Sequence, residues 1–227
     1  MDAETPPPRL TPLEARILGS LIEKEITTPE YYPLTLNGLL AACNQKNNRT
    51  PVFTLDEEIL ARGIYSLQEK HLMESFAGAN ARALKYRERL TGQLNLAPDE
   101  RAVLCELLLR GPQTAGELRS RAARMHPFDT LEEIQAALGR LAARSDGPLV
   151  AELPKQPGHK EARVAHLLGD QPPAAEPPQT EIPPPAAMAA VIGEASRLAA
   201  LETRVAALEE EVAGLKALFG DFKAQFD

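Results

Sequence analysis

The 227-residue sequence predicts a mainly α-helical fold with small β-hairpins, and three observations lead to this prediction. Two consecutive segments each contain three helical patterns followed by two short extended runs. A proline-rich stretch comes next, and the chain then ends in a heptad pattern of apolar residues. Three helices and a hairpin are the layout of a winged helix. The repeat therefore predicts two tandem winged-helix domains, and the heptads predict a C-terminal coiled-coil helix.

The first repeat predicts a domain over residues 1–92. Thr11 and Glu14 have the spacing of a capping box, so the first helix is expected to begin there. Thr54 and Glu57 have the same spacing before the third helix. Two extended runs around a Gly/Asn turn follow and predict a β-hairpin, the first wing. The three helices are predicted over residues 12–26, 34–45 and 54–70.

The second repeat predicts a domain over residues 93–170 with the same order of elements. A Gly-Pro pair ends its first helix, and Thr114 with Glu117 supplies a capping box for the second. Thr130 is expected to open the third helix. Two extended runs around a Pro/Gly turn within residues 148–168 predict the second wing. The helices are predicted over residues 97–110, 113–125 and 130–144.

The remaining chain predicts a linker and a dimerising helix. Residues 171–190 are rich in proline and are expected to form an extended linker. Over residues 191–227 apolar side chains alternate at spacings of three and four, which is typical of a two-stranded coiled coil and predicts a homodimer. The expected dimerisation residues are Leu198, Leu201, Val205, Leu208, Val212, Leu215, Phe219 and Phe222.

The orientation of the coiled coil stays open. Val205 and Val212 occupy the a positions with leucine at d, which favours a parallel dimer. The charges fit either arrangement, because Arg204 faces Glu209 in a parallel pair and Glu211 in an antiparallel one. A third alternative is that this helix packs back onto the winged-helix domains of its own chain.

Three long motifs resemble the YceH-like family of uncharacterised bacterial proteins. The segment LTPLEARILGSLIEKEITTPEYYPLTLNGLLAACNQKNNRTPV resembles the opening of that family, and GPQTAGELRSRAARMHPF resembles its second-domain signature. LETRVAALEEEVAGLK resembles its terminal heptads. The resemblance implies two tandem winged-helix domains. It implies no catalytic residue, cofactor or substrate.

The charge distribution bears on nucleic-acid binding. The net charge is −7, and residues 171–227 carry 9 acidic side chains against 4 basic ones, so the two repeats are nearly neutral. A general basic footprint for nucleic acid is therefore missing. The candidate recognition helices, 54–70 and 130–144, begin with carboxylates that favour the helix dipole but would repel phosphate.

Any DNA contact is therefore expected from basic side chains outside the starts of these helices, as salt-sensitive phosphate binding with little base selection. These side chains lie in the turn before the first recognition helix, in both wings and on the second helix of the second repeat. As an alternative, the wing and helix charges form a solvated surface and the turn amides cap helix ends. The candidate nucleic-acid-binding residues are Lys46, Asn47, Asn48, Arg49, Arg82, Lys85, Arg87, Arg119, Arg121, Arg124, Lys155, Lys160 and Arg163.

No motif for catalysis, metal binding or a cofactor is present in the sequence. The four histidines are dispersed, and there is no phosphate-binding loop or nucleophile motif, so no catalytic residue, metal or cofactor is expected. Cys43 and Cys105 lie in apolar helical contexts, which predicts buried thiols in a reducing compartment. Without a signal-peptide pattern or a long apolar run, the protein is expected to be cytoplasmic and not membrane-bound.

Two functions from different classes agree with these features. The first is a non-enzymatic, dimeric, DNA-associated regulatory factor that contacts phosphates weakly through its wings and the turn. The alternative is a protein–protein interaction scaffold, because nearly neutral domains with acidic helix starts suit that use. The sequence leaves the DNA site and the protein partner open.

Overall fold

Seven α-helices and five β-strands form the part of the chain that the computed structural model describes, residues 7–77, 83–155 and 161–169. The prediction of a mainly helical protein with small antiparallel hairpins is confirmed. The predicted linker 171–190 and the predicted coiled-coil helix 191–227 lie outside the described residues. None of the described helices is long and apolar enough to span a bilayer.

The first half contains four helices and a three-stranded antiparallel sheet in the order β1-β3-β2. Leu34 in β1 pairs with Tyr86 in β3, and Met73 in β2 pairs with Glu88 at the other end of β3. A single 3-10 turn, Pro29–Tyr31, follows the first helix. The elements are α1 (Pro12–Thr27), β1 (Leu34–Thr35), α2 (Leu36–Cys43), α3 (Glu57–Glu69), β2 (Met73–Phe76), β3 (Lys85–Glu88) and α4 (Leu90–Gln93).

The second half repeats this arrangement with three helices and one hairpin. Its hairpin is antiparallel, with Val150 paired to His166. Gln113, just before the second of these helices, exchanges two backbone hydrogen bonds of 3.0 and 2.8 Å with Val164. Gln113 thus occupies the place that β1 has in the first half. The elements are α5 (Pro98–Arg110), α6 (Ala115–Ala122), α7 (Leu131–Ala142), β4 (Val150–Glu152) and β5 (Val164–His166).

The helix starts agree with the predicted capping boxes at Thr11 and Thr114, where both reciprocal hydrogen bonds form. The box predicted at Thr54 is wrong. Asp56 caps α3 instead, with its Oδ1 accepting from the backbone N of Ile59 at 2.8 Å. The reason lies in Asn44, whose side-chain amide pairs with both backbone groups of Leu55 at 2.7 and 2.8 Å and delays the start of the helix.

The core joins the two halves through α1 and α5. Both helices are buried on nearly all sides; Ile17 and Leu21 of α1 and Leu104 and Leu107 of α5 are fully buried. Gly19 permits the close approach, because a Cβ atom at this position would lie 2.9 Å from Leu109. The described residues accordingly belong to one compact unit. The boundary predicted between residues 92 and 93 separates two repeats that share this core.

Candidate nucleic-acid interface and apolar groove

An ion cluster of five charged side chains lies where α1, α5, the turn after α2 and the segment after α6 meet: Glu23, Arg49, Glu106, Arg110 and Arg124. The Glu23 side chain, 1% exposed, accepts from Nη1 of Arg49 at 3.1 Å, from its Nη2 at short range, and from Arg124. Glu106 is fully buried and accepts from Nη2 of Arg124 at 2.8 Å. Nε of Arg110 lies 3.0 Å from Oε2 of Glu106. The cluster ties the two halves together.

The electrostatics of the cluster favour its charged form. Burial by itself raises the pKa of Glu23, because a carboxylate loses solvation in the interior. The hydrogen bonds and positive charges of Arg49 and Arg124 outweigh burial, so the pKa of Glu23 lies below its ordinary value. Glu23 therefore stays ionised at neutral pH and holds both guanidinium groups in place.

Two of the four residues in the turn 46–49, which the sequence predicts to contact phosphate, are bound to this cluster instead. Arg49 is 4% exposed and also donates to the carbonyl oxygen of Ala42 at 3.1 and 3.2 Å. Asn48 has a positive φ of 61° and accepts from Arg110. Lys46 and Asn47 are exposed. Only the latter two side chains face solvent freely enough to reach a phosphate.

The predicted wing residues are partly used in local pairs. In the first hairpin Arg87 forms an ion pair with Glu74 on the neighbouring strand, whereas Lys85 is half-buried; Arg82 lies outside the described residues. In the second, Arg163 donates to the carbonyl oxygen of Pro112 at 2.7 Å. Lys155 is exposed, and Lys160 lies outside the described residues.

The three arginines predicted on the second helix of the second repeat differ in their surroundings. Arg119 is exposed. Arg121 donates to Oε1 of Gln113 at 2.8 Å and pairs with Glu117 at 3.2 Å. Arg124 belongs to the ion cluster. Within residues 7–77, 83–155 and 161–169, the predicted side chains that make no ion pair or side-chain hydrogen bond are Lys46, Asn47, Lys85, Arg119 and Lys155.

The predicted dimerisation residues, Leu198 to Phe222, all lie outside the described residues.

Both cysteines are buried, as predicted, and burial raises the pKa of the Cys43 thiol to about 11. That shift keeps the thiol protonated and unreactive at neutral pH. Over the described part of the chain, no group of three or more histidine, cysteine or acidic side chains could hold a metal ion.

An open groove of about 590 Å³ lies between α7 and the β4–β5 hairpin, and no sequence motif predicted it. The α7 residues that line the groove share one face of the helix. This face lies beside the one that carries Ile134, Ala137 and Leu141 into the core. Leu131, at the start of α7, is 36% exposed. We call this feature the α7 groove; its lining residues are Leu131, Gln135, Leu138, Gly139 and Ala142 of α7, Val150, Ala151 and Glu152 of β4, Glu161, Ala162 and Val164 around β5, and Ala115.

The groove is mostly apolar and carries acidic side chains at its edge. Glu152 and Glu161 are exposed and line it, and none of the described residues that line it is a lysine or arginine. Gly139 sits at the centre of the α7 wall, and a Cβ atom there would have nothing within 4 Å. An outward pattern of Leu, Leu and Ala on α7 is the sequence signal by which this groove could have been found.

Comparison with known proteins places the chain in a family. Residues 10–159 match a family described as "Protein of unknown function, DUF480", and the chain belongs to it. A UPF0502 protein of Geobacter sulfurreducens is 50% identical over 96% of this chain and 98% of its own length. Another, from Opitutus terrae, is 48% identical over 78% of this chain and 80% of its own.

One relative carries the name that the sequence motifs point to. The UPF0502 protein YceH of Escherichia fergusonii is 47% identical over 70% of this chain and 76% of its own length. The resemblance to the YceH-like family is thereby confirmed.

Proposed function

We propose that this protein is a non-enzymatic protein–protein interaction module built on two tandem winged-helix units. The repeated order of three helices and a hairpin supports the winged-helix assignment. So does the shared pairing of a short segment before the second helix with the returning hairpin strand, by β1 in one half and Gln113 in the other.

The α7 groove is the observation that carries the proposal. In a winged helix that binds DNA, the helix equivalent to α7 enters the major groove and needs a polar or basic outer face. Here that helix begins with Glu132 and Glu133 and exposes Leu131 next to an apolar groove. An exposed apolar surface with a polar edge is typical of a protein-binding site.

The surroundings of the side chains predicted to contact phosphate support the same function. Arg49 and Arg124 are engaged in the ion cluster, and releasing either would take one of two guanidinium partners away from a buried carboxylate. Arg87, Arg121 and Arg163 are held by local partners. Among the described residues, the predicted cations that form no ion pair are Lys46, Lys85, Arg119 and Lys155, which are too few for tight phosphate-driven binding.

Affinity capture with the full-length chain tests the proposal, using two neutral substitutions of the same helix. Gly139→Gln places a side chain in the groove, whereas Ala136→Gln adds the same side chain to an exposed α7 position that does not line it. We expect a protein that survives nuclease treatment and is recovered with wild type and Ala136→Gln but lost with Gly139→Gln. Loss of every captured protein on nuclease digestion would contradict the proposal.

Phosphate-driven binding of duplex DNA is a second candidate function, favoured by the cations Lys46, Arg119 and Lys155. They are exposed and form no ion pair with another described residue. This function predicts affinity for a random duplex that falls steeply with salt and is reduced by Lys46→Glu with Lys155→Glu. A dissociation constant weaker than about 10⁻⁴ M at physiological salt would exclude it.

We further propose that the heptad segment makes the protein a homodimer. Leu208 occupies a d position, so Leu208→Lys should convert a dimer into a monomer in sedimentation equilibrium. Thr203→Lys, which adds the same charge at an outer heptad position, should leave the dimer intact. A wild-type chain that sediments as a monomer would refute this part of the proposal.

A further inference from the structure

The shape of the α7 groove indicates the kind of partner it accepts. One wall is a 12-residue helix, about 18 Å long, whose lining positions fall on one face at helical spacing. The other wall is a hairpin whose outer strand, β4, has three residues and is too short to hold an added strand firmly. A groove with a helix as one wall suits an amphipathic helix, which inserts side chains at intervals of three and four residues.

Gly139 gives a second indication of a helical occupant. Glycine inside a helix is unfavourable, because it adds backbone freedom to the unfolded chain and no contact to the folded one. No internal packing explains it here, since a Cβ atom at this position would have nothing within 4 Å. Small residues at a helix surface allow another backbone to approach closely, and Gly139 lies at the centre of the lining face.

The charges of the groove indicate which charge its partner should carry. Glu152 and Glu161 line it, and neither forms an ion pair with a described residue. Glu132 and Glu133 add negative charge at the start of α7. The heptad segment of this chain is a poor match, because residues 191–227 carry 7 acidic against 4 basic side chains. Charge complementarity therefore favours a basic helix from a different protein.

We propose that the α7 groove binds an amphipathic helix of a partner protein, with apolar residues on one face and lysine or arginine beside them. The apolar face contacts Leu131, Leu138 and Val164, and the basic residues pair with Glu152 and Glu161. This inference rests on the proposed interaction function and adds the chemistry of the partner.

A selection from a display library of helical peptides, about four turns long and randomised on one face, tests this inference with the full-length protein. We expect enriched peptides to be amphipathic and basic. They should bind wild type at least about tenfold more tightly than Gly139→Gln, and Ala136→Gln as tightly as wild type. Glu152→Lys with Glu161→Lys should weaken them about tenfold or more and reverse the preferred charge on repeated selection.

The outcomes separate this inference from the proposed function. Enriched peptides that are acidic, or that bind Gly139→Gln and wild type equally, would overturn the inference. So would a selection without enrichment. If affinity capture still recovers a nuclease-resistant protein partner in that case, the interaction function stands and only the groove assignment fails. If capture recovers none, both fail.

Discussion

Replacing Glu23 by glutamine is expected to destabilise the fold strongly. The Glu23 side chain is 1% exposed and accepts hydrogen bonds from Arg49 and Arg124, which come from two different parts of the chain. The amide keeps the volume but removes the charge, so the buried Arg49 loses its counter-ion. Breaking a buried ion pair in this way costs about 3–5 kcal/mol. For a protein of this size, that corresponds to a fall in melting temperature of about 10 °C.

The measurement is urea unfolding followed by circular dichroism at pH 7, with Glu58→Gln as the matched control. Glu58 also pairs with an arginine, Arg62, but its side chain is 70% exposed, so its loss should cost less than about 0.5 kcal/mol. Equal effects of the two substitutions would refute the assignment of the ion cluster as the connection between the halves. A loss from Glu23→Gln below about 1 kcal/mol would do the same.

Three further changes test other parts of the structure. Gly19→Ala should destabilise by about 1–3 kcal/mol, because the added Cβ atom would meet Leu109 at 2.9 Å; an unchanged urea midpoint would contradict the close packing of α1 and α5. Gly139→Ala should stabilise by about 0.5–1 kcal/mol, since the methyl group meets open space within a helix, and a lower urea midpoint would count against that geometry. Burial lowers the pKa of His166 to about 4, from an ordinary value of 6.5. The unfolded chain therefore takes up this proton first, and stability should fall by about 2 kcal/mol between pH 7 and pH 5. His166→Leu should remove that part of the pH dependence, and an NMR titration of His166 with a midpoint near 6.5 would contradict it.

The sequence predicts the helices of both repeats well, because their signals are local. The capping boxes at Thr11 and Thr114 depend on residues three positions apart, and both form. Two elements escaped prediction because they are too short to show a periodic pattern: β1 has two residues and α4 has four. The start of α3 was misplaced because Asn44, 11 positions away, fixes the backbone of Leu55.

The candidate site was harder to predict, because the partners of its charged residues are distant in sequence. Arg124 pairs with Glu23 across 101 positions, and Arg49 pairs with the same carboxylate across 26. The sequence around each arginine does not contain its acidic partner, so both arginines look available to bind phosphate. The α7 groove differs, since the exposed Leu131 and the half-buried Leu138 are visible in the helical pattern. Only the fold shows that these residues line a groove, because the hairpin forms its opposite wall.

Site-specific photo-crosslinking in living cells tests whether α7 presents a protein-binding surface. A benzophenone side chain replaces Gln135, which lines the groove, and in a second variant replaces Ala136, which is exposed on the same helix but does not line it. The interaction function predicts a protein adduct at position 135 that resists nuclease and is absent at position 136. An adduct that nuclease removes, or the same adducts from both positions, would contradict it.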